Sequence, residues 1–81
     1  MSEQQMPKPL IMWVVTDGAT DIETRYAARR HEITFDQGDI VTDDVILTDD
    51  LNVIRDELWE RGLKPIARSE HDDPVIVESW L

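Results

Sequence analysis

Between Thr48 and Gly62 lies a segment with the period of an α-helix, set among segments patterned as strands and turns. Leu51, Ile54 and Leu58 recur at i, i+3 and i+7. At 100° per residue they fall within about 60° of arc and make one apolar stripe. Thr48 or Asp49 can cap a helix beginning near Asp50, and Gly62 stands where a helix C-terminus wants a left-handed residue. A helix of about three turns with one apolar face must lay that face on another layer. The rest of the chain supplies strands, so that layer is a sheet.

Leu10 to Val15 reads Leu-Ile-Met-Trp-Val-Val and ends in Thr16-Asp17-Gly18, a buried strand closed by a turn signal. Ala19 to Thr24 is small and polar and reads as a loop. From Arg25 to Phe35 a strand fits better than a helix. It places Tyr26, Ala28, Arg30, Glu32 and Thr34 on one face and Arg25, Ala27, Arg29, His31, Ile33 and Phe35 on the other. Asp36-Gln37-Gly38-Asp39 is the next turn, and Ile40 to Leu47 is one strand, or two interrupted at Asp43-Asp44. After the helix, Lys64 to Arg68 forms a short strand that Pro65 assigns to an edge or a strand start. Ser69 to Asp73 is a polar loop, and Val75 to Leu81 is a closing strand. The expected fold is therefore α+β, a small, mainly antiparallel sheet with one amphipathic helix packed on it. Residues 1–9 form a loose leader and residues 10–81 a single domain.

A chain of 81 residues buries only roughly 60% of its unfolded surface, so its core is modest. Composition then narrows the function classes. There is no cysteine, which removes disulfides, thiolate metal sites and thiol nucleophiles together. Asp and Glu number 18 against 8 Lys and Arg, a net charge of −10 that argues against direct binding to nucleic acid or an anionic membrane. The longest apolar run, Leu10 to Val15, is far short of the ~20 residues that span a bilayer. A cytoplasmic location is the expectation.

Catalytic equipment is not apparent in the spacing. Glycines mark turns and form no phosphate loop, and no serine or threonine stands in a pattern that selects it as a nucleophile. A carboxyl general acid needs desolvation that so small an interior offers poorly. No cofactor is expected. Glu70-His71-Asp72-Asp73 crowds oxygen ligands beside an imidazole, so a metal site using His71 and Asp72 is one alternative; a solvated loop is the other. Asp39, Asp43 and Asp44 lack the alternate-position spacing of a calcium loop.

The acids carry the most organised signal. Glu32, Asp36, Asp39, Asp43, Asp44, Asp49 and Asp50 follow one another between His31 and Ile54 without a Lys or Arg among them. On an extended segment Asp39 and Asp43 share a face and Asp44 takes the other. Arg25, Arg29 and Arg30 stand in this negative field and are expected to pair within the chain. On the helix, Asp49, Asp56 and Glu60 line up opposite the apolar stripe. Glu57 can pair with Arg61, whereas Asp56 and Glu60 repel at i, i+4. Val53 lies in the acid stripe, and Trp59 lies off the apolar arc. Trp59 either packs on a neighbouring strand or stands as an interface anchor.

Two segments carry a resemblance. Tyr26-Ala27-Ala28-Arg29-Arg30 and Asp72-Asp73-Pro74-Val75-Ile76-Val77-Glu78-Ser79-Trp80-Leu81 are similar to a group of short, acidic bacterial proteins. The likeness runs over about residues 11 to 81 and implies no site residue. In size and acidity alone the chain also resembles the phage-borne anti-CRISPR inhibitors. The leading expectation is a non-enzymatic protein-binding domain that mimics nucleic-acid charge and occupies a basic nucleic-acid-binding surface of a partner. Asp43, Asp44, Asp49, Asp56 and Glu60 would make the contact, with Trp59 as anchor. The alternative is a housekeeping or regulatory domain from an acid-rich, salt-adapted proteome, forming a homodimer through a strand edge near Val75 to Trp80.

Overall fold

The computed structural model describes residues 8–18, 23–66 and 74–81. Five strands and one helix follow in the order β1 (Leu10–Asp17), β2 (Tyr26–Thr34), β3 (Gly38–Thr48), α1 (Leu51–Glu60), β4 (Pro65–Ile66) and β5 (Ile76–Trp80). They form a five-stranded sheet in the order β3-β2-β1-β5-β4, with every neighbouring pair antiparallel. This is the expected α+β architecture. Of the expected leader, residues 1–7 lie outside the described residues, as do 19–22 of the first loop. The end of the segment Lys64 to Arg68 and all of the loop Ser69 to Asp73 lie outside them too.

The apolar run of β1 becomes the central strand, paired on both sides. Its register with β2 sets Trp13 opposite Arg30 and Val15 opposite Ala28, and its register with β5 sets Trp13 opposite Trp80. These residues face α1. Trp13, Val15, Ala28, Ile54, Leu58 and Trp80 form the buried cluster, with Ile11, Tyr26, Ile46, Leu51, Leu63 and Val77 packed against it. The helical stripe therefore lands where its period directs it. Burying Ile54, Leu58 and Val15 completely stabilises the fold by about 1.5–3 kcal/mol per side chain.

Both helix ends are closed by local chemistry. Asp50, rather than Thr48 or Asp49, is the N-cap, and its carboxylate accepts from Asn52 N–H at 3.0 Å. The two earlier candidates are otherwise engaged. Thr48 Oγ1 accepts from Asp50 N–H at 3.1 Å, and the Asp49 carboxylate accepts from Arg25 N–H at 2.8 Å. At the other end Gly62, at φ +84°, donates to Trp59 O, and Leu63 donates back to Leu58 O. That pair of bonds is a Schellman closure, and the glycine supplies the left-handed turn it requires.

One of the alternatives left by the sequence holds for β3, and one expectation changes. β3 is one continuous strand, and Asp43-Asp44 sits where its register against β2 shifts between Arg29 and His31. The interruption is a local irregularity and not a strand break. β5 is not an edge either. It lies between β1 and β4, and β4 takes the Ser79–Trp80 end of the strand edge that the dimer through Val75 to Trp80 would use. Two antiparallel partners claim it, a relationship that depends on strand order and not on the segment itself. The edges are β3 and the short β4, as Pro65 anticipated.

Candidate functional site

The arginines among the described residues are spent inside the molecule. Arg25 pairs with Asp17 at 3.2 Å, and Arg30 bridges Glu32 and Asp44. Arg55 meets Glu78 at 3.1 Å, and Arg61 meets Glu57 at 2.9 Å. Arg29 donates to the Thr42 carbonyl at 2.9 Å. The Arg30 guanidinium is held above its usual pKa by its hydrogen bond to Glu32 and then by Asp44. Arg25 is raised first by its hydrogen bond to Asp17, and Arg55 by that to Glu78. The acids that hold these arginines are unavailable as free charge.

That pairing divides the expected contact residues. Asp44 lies on the helix side of the sheet with Arg30, and Asp49 ties the start of β2 to the β3–α1 junction through Arg25 N–H. Both therefore carry internal bonds. Asp39 and Asp44 do point to opposite faces, Asp39 meeting His31 Nδ1 at 2.9 Å on the side away from α1. Asp43 is exposed on edge strand β3. Only Asp56, Trp59 and Glu60 come together, on the outer face of α1.

On that face Asp56 and Glu60 are exposed, and neither makes an ion pair or a side-chain hydrogen bond among the described residues. Four residues apart, they stand about 6 Å from each other along the axis. Val53, one turn before Asp56, is 49% exposed, and Trp59 at the flank of the two acids is 58% exposed. Among the described residues Trp59 stands outside the buried cluster on the sheet. Its ring instead carries Lys64 Nζ at 4.2 Å, a cation–π contact on the solvent side. Its exposure follows from the helix period, which sets Leu58 into the core and turns its neighbour outward. The sequence held both signals, the acid stripe and the off-arc tryptophan. It could not tell which acids would find arginines.

No group of metal-ligating side chains occurs among the described residues. His71 and Asp72, the alternative metal site, lie outside them. Among the described residues no helix is long and apolar enough to cross a membrane.

The class defined by this geometry is a small α+β domain, one helix on a five-stranded antiparallel sheet. No protein-family model matches the chain, and neither any curated protein nor any solved structure does.

Proposed function

We propose that this is a non-enzymatic protein-binding domain that engages a basic protein surface through the outer face of α1. The observation that carries the reading is the contrast between spent and unspent acids. Asp17, Glu32, Asp44, Glu57 and Glu78 are neutralised internally, while Asp56 and Glu60 stand unpaired beside an exposed aromatic ring. Like charges at i, i+4 cost the helix about 0.2–0.5 kcal/mol. A partner's lysines or arginines would turn that cost into attraction. Charge supplies fast encounter and selects the partner, and Trp59 supplies buried area at the contact.

The narrower version is an anti-CRISPR-like inhibitor that fills a nucleic-acid groove. Duplex DNA presents a charge every ~1.7 Å of its axis, whereas Asp56 and Glu60 on α1 are spaced at ~6 Å. The helix alone matches a few basic side chains and not a long channel. Mimicry over a longer track would need the turn acid Asp36 and the edge-strand acid Asp43 as well.

The test is affinity capture with wild type and with the double variant Asp56→Lys/Glu60→Lys, at low and at high salt, with bound proteins identified. The reading expects a basic protein that wild type retains at low salt and releases at high salt, and that the double variant fails to retain. Equal retention by both chains would overturn it. Displacement of nucleic acid from the captured protein by wild type separates the inhibitor version from simple docking.

A further inference from the structure

We infer that the sheet face turned away from α1 is a self-association surface, on which two copies of this chain pack sheet against sheet with their helices outermost. The inference is independent of the outer face of α1.

The observation begins with the sequence of β1. A continuous apolar run is the pattern of a strand buried on both faces, whereas a sheet with one wet face alternates apolar and polar residues. In the single chain α1 covers one face. The registers place Leu10, Met12 and Val14 of β1 on the other, in rows with Ile33 of β2 and Val41, Val45 and Leu47 of β3. Leu10 is 54% exposed, Val41 58% and Leu47 51%. Leu10 pairs with Ile33 and Leu47 with Ala27, while His31 stands between Met12 and Val41 and Arg29 between Val14 and Val45. Apolar rows on β1 and β3 thus flank a polar pair on β2, and apolar side chains gathered on one face in this way mark an interaction surface.

Charge selects the occupant. The ionisable groups on this face along the paired registers are Arg29, His31 and Asp39. Asp39 sits against His31, and Arg29 donates to the Thr42 carbonyl. The face is thus close to neutral on a chain of net charge −10. A basic partner drawn by the protein's field finds no acid here to pair with, apart from one already engaged. A second copy meets here only the Asp39 carboxylate, already held against His31, and this approach keeps the two outer helical stripes as far apart as the fold allows. Edge-to-edge pairing is the poorer route, because edge strand β3 carries Asp43 and a register shift, the usual devices that block strand addition.

Size is sufficient. Four strand spacings of ~4.8 Å by eight residues at ~3.3 Å give a face of roughly 500 Å². Two such faces bring together about 1,000 Å², the threshold for a specific interface. Packed face to face, aligned sheets stand ~10 Å apart and interdigitate their side chains into a second core.

The test is the mass in solution by sedimentation equilibrium over a range of concentrations and at two ionic strengths. The expected result is a monomer–dimer equilibrium approaching twice the 9.4 kDa chain mass. Higher salt should leave it unchanged or tighten it, because screening relieves the repulsion of two acidic chains. Leu47→Glu and Val41→Glu, at positions exposed in the single chain, should each raise the dimer dissociation constant by roughly 100-fold with far-UV circular dichroism unchanged. If one of them loses its folded spectrum, the other decides. Val53→Glu, on the outer face of α1, should leave the dimer intact. A monomer at every concentration and salt, or a dimer indifferent to both face variants, would overturn the inference, the first result meaning that another partner or another part of the chain covers the face.

Discussion

The Arg55 guanidinium and the Glu78 carboxylate meet through two parallel N–H···O bonds of 3.1 Å, clipping α1 to β5. Glu78 Oε1 also accepts from Trp80 Nε1 at 3.1 Å, so one carboxylate serves both the helix and the core tryptophan. Removing the two partners should therefore have unequal effects. Arg55→Ala loses an exposed pair and should cost under about 1 kcal/mol. Glu78→Ala also strands the indole N–H of a buried ring and should cost about 1–3 kcal/mol. Urea unfolding of the two variants measures the difference, and equal losses would count against the shared-acceptor role of Glu78.

The apolar stripe of α1 gives a second contrast. Leu58→Ala opens a cavity beneath Trp13 and Trp80 and should cost about 2–5 kcal/mol. Trp59→Ala, one residue on, removes an exposed ring and should change stability by no more than about 0.5 kcal/mol. The same variant should weaken capture of a basic partner, a pairing of effects that a purely structural Trp59 would reverse.

The helix N-terminus tests the shift of the cap. Asp50→Ala should cost about 1 kcal/mol, the usual loss of a capping side chain. Asp49→Ala should spare the helix and loosen the start of β2, because its carboxylate accepts from Arg25 N–H. Amide exchange reads this directly, with faster exchange at Arg25 in Asp49→Ala and at Asn52 in Asp50→Ala.

Much of this fold was legible in the sequence. Leu51, Ile54 and Leu58 marked the helix and its buried face, Gly62 its end, and the run from Leu10 to Val15 the strand that became central. These are local signals of period and backbone preference. What stayed hidden depends on long-range pairing. Nothing within Val75 to Trp80 says that two strands flank it, and nothing within Asp44 or Asp49 says that Arg30 or Arg25 N–H waits across a register. The acid count therefore overstated the free charge, and only Asp56, Trp59 and Glu60 of the expected contact set gather on one face.

Alkaline pH should leave the ion-pair framework standing. Arg25, Arg30 and Arg55 all have raised pKa values. A raised value contributes stability that is present below the unfolded pKa and is lost only as pH climbs through the folded one. That window opens only above the ordinary arginine range, so these arginines should contribute no loss of stability between about pH 7 and pH 9. A fall in urea midpoint over that range that Arg30→Ala abolishes would contradict the assignment.

Salt should act oppositely on folding and on partner binding. The chain carries −10, and screening its self-repulsion should raise the unfolding midpoint as ionic strength increases. A midpoint that falls with added sodium chloride would mean that the internal ion pairs outweigh the repulsion.

The central claim is that unpaired acids on the outer face of α1 recruit a basic protein. It is tested most directly by the salt dependence of affinity between the captured partner and two chains, wild type and Asp56→Lys/Glu60→Lys. The account predicts wild-type binding that weakens steeply with salt, and binding by the double variant at least about tenfold weaker at low salt with an unchanged melting temperature. Equal affinities with equal salt slopes for the two chains would contradict it.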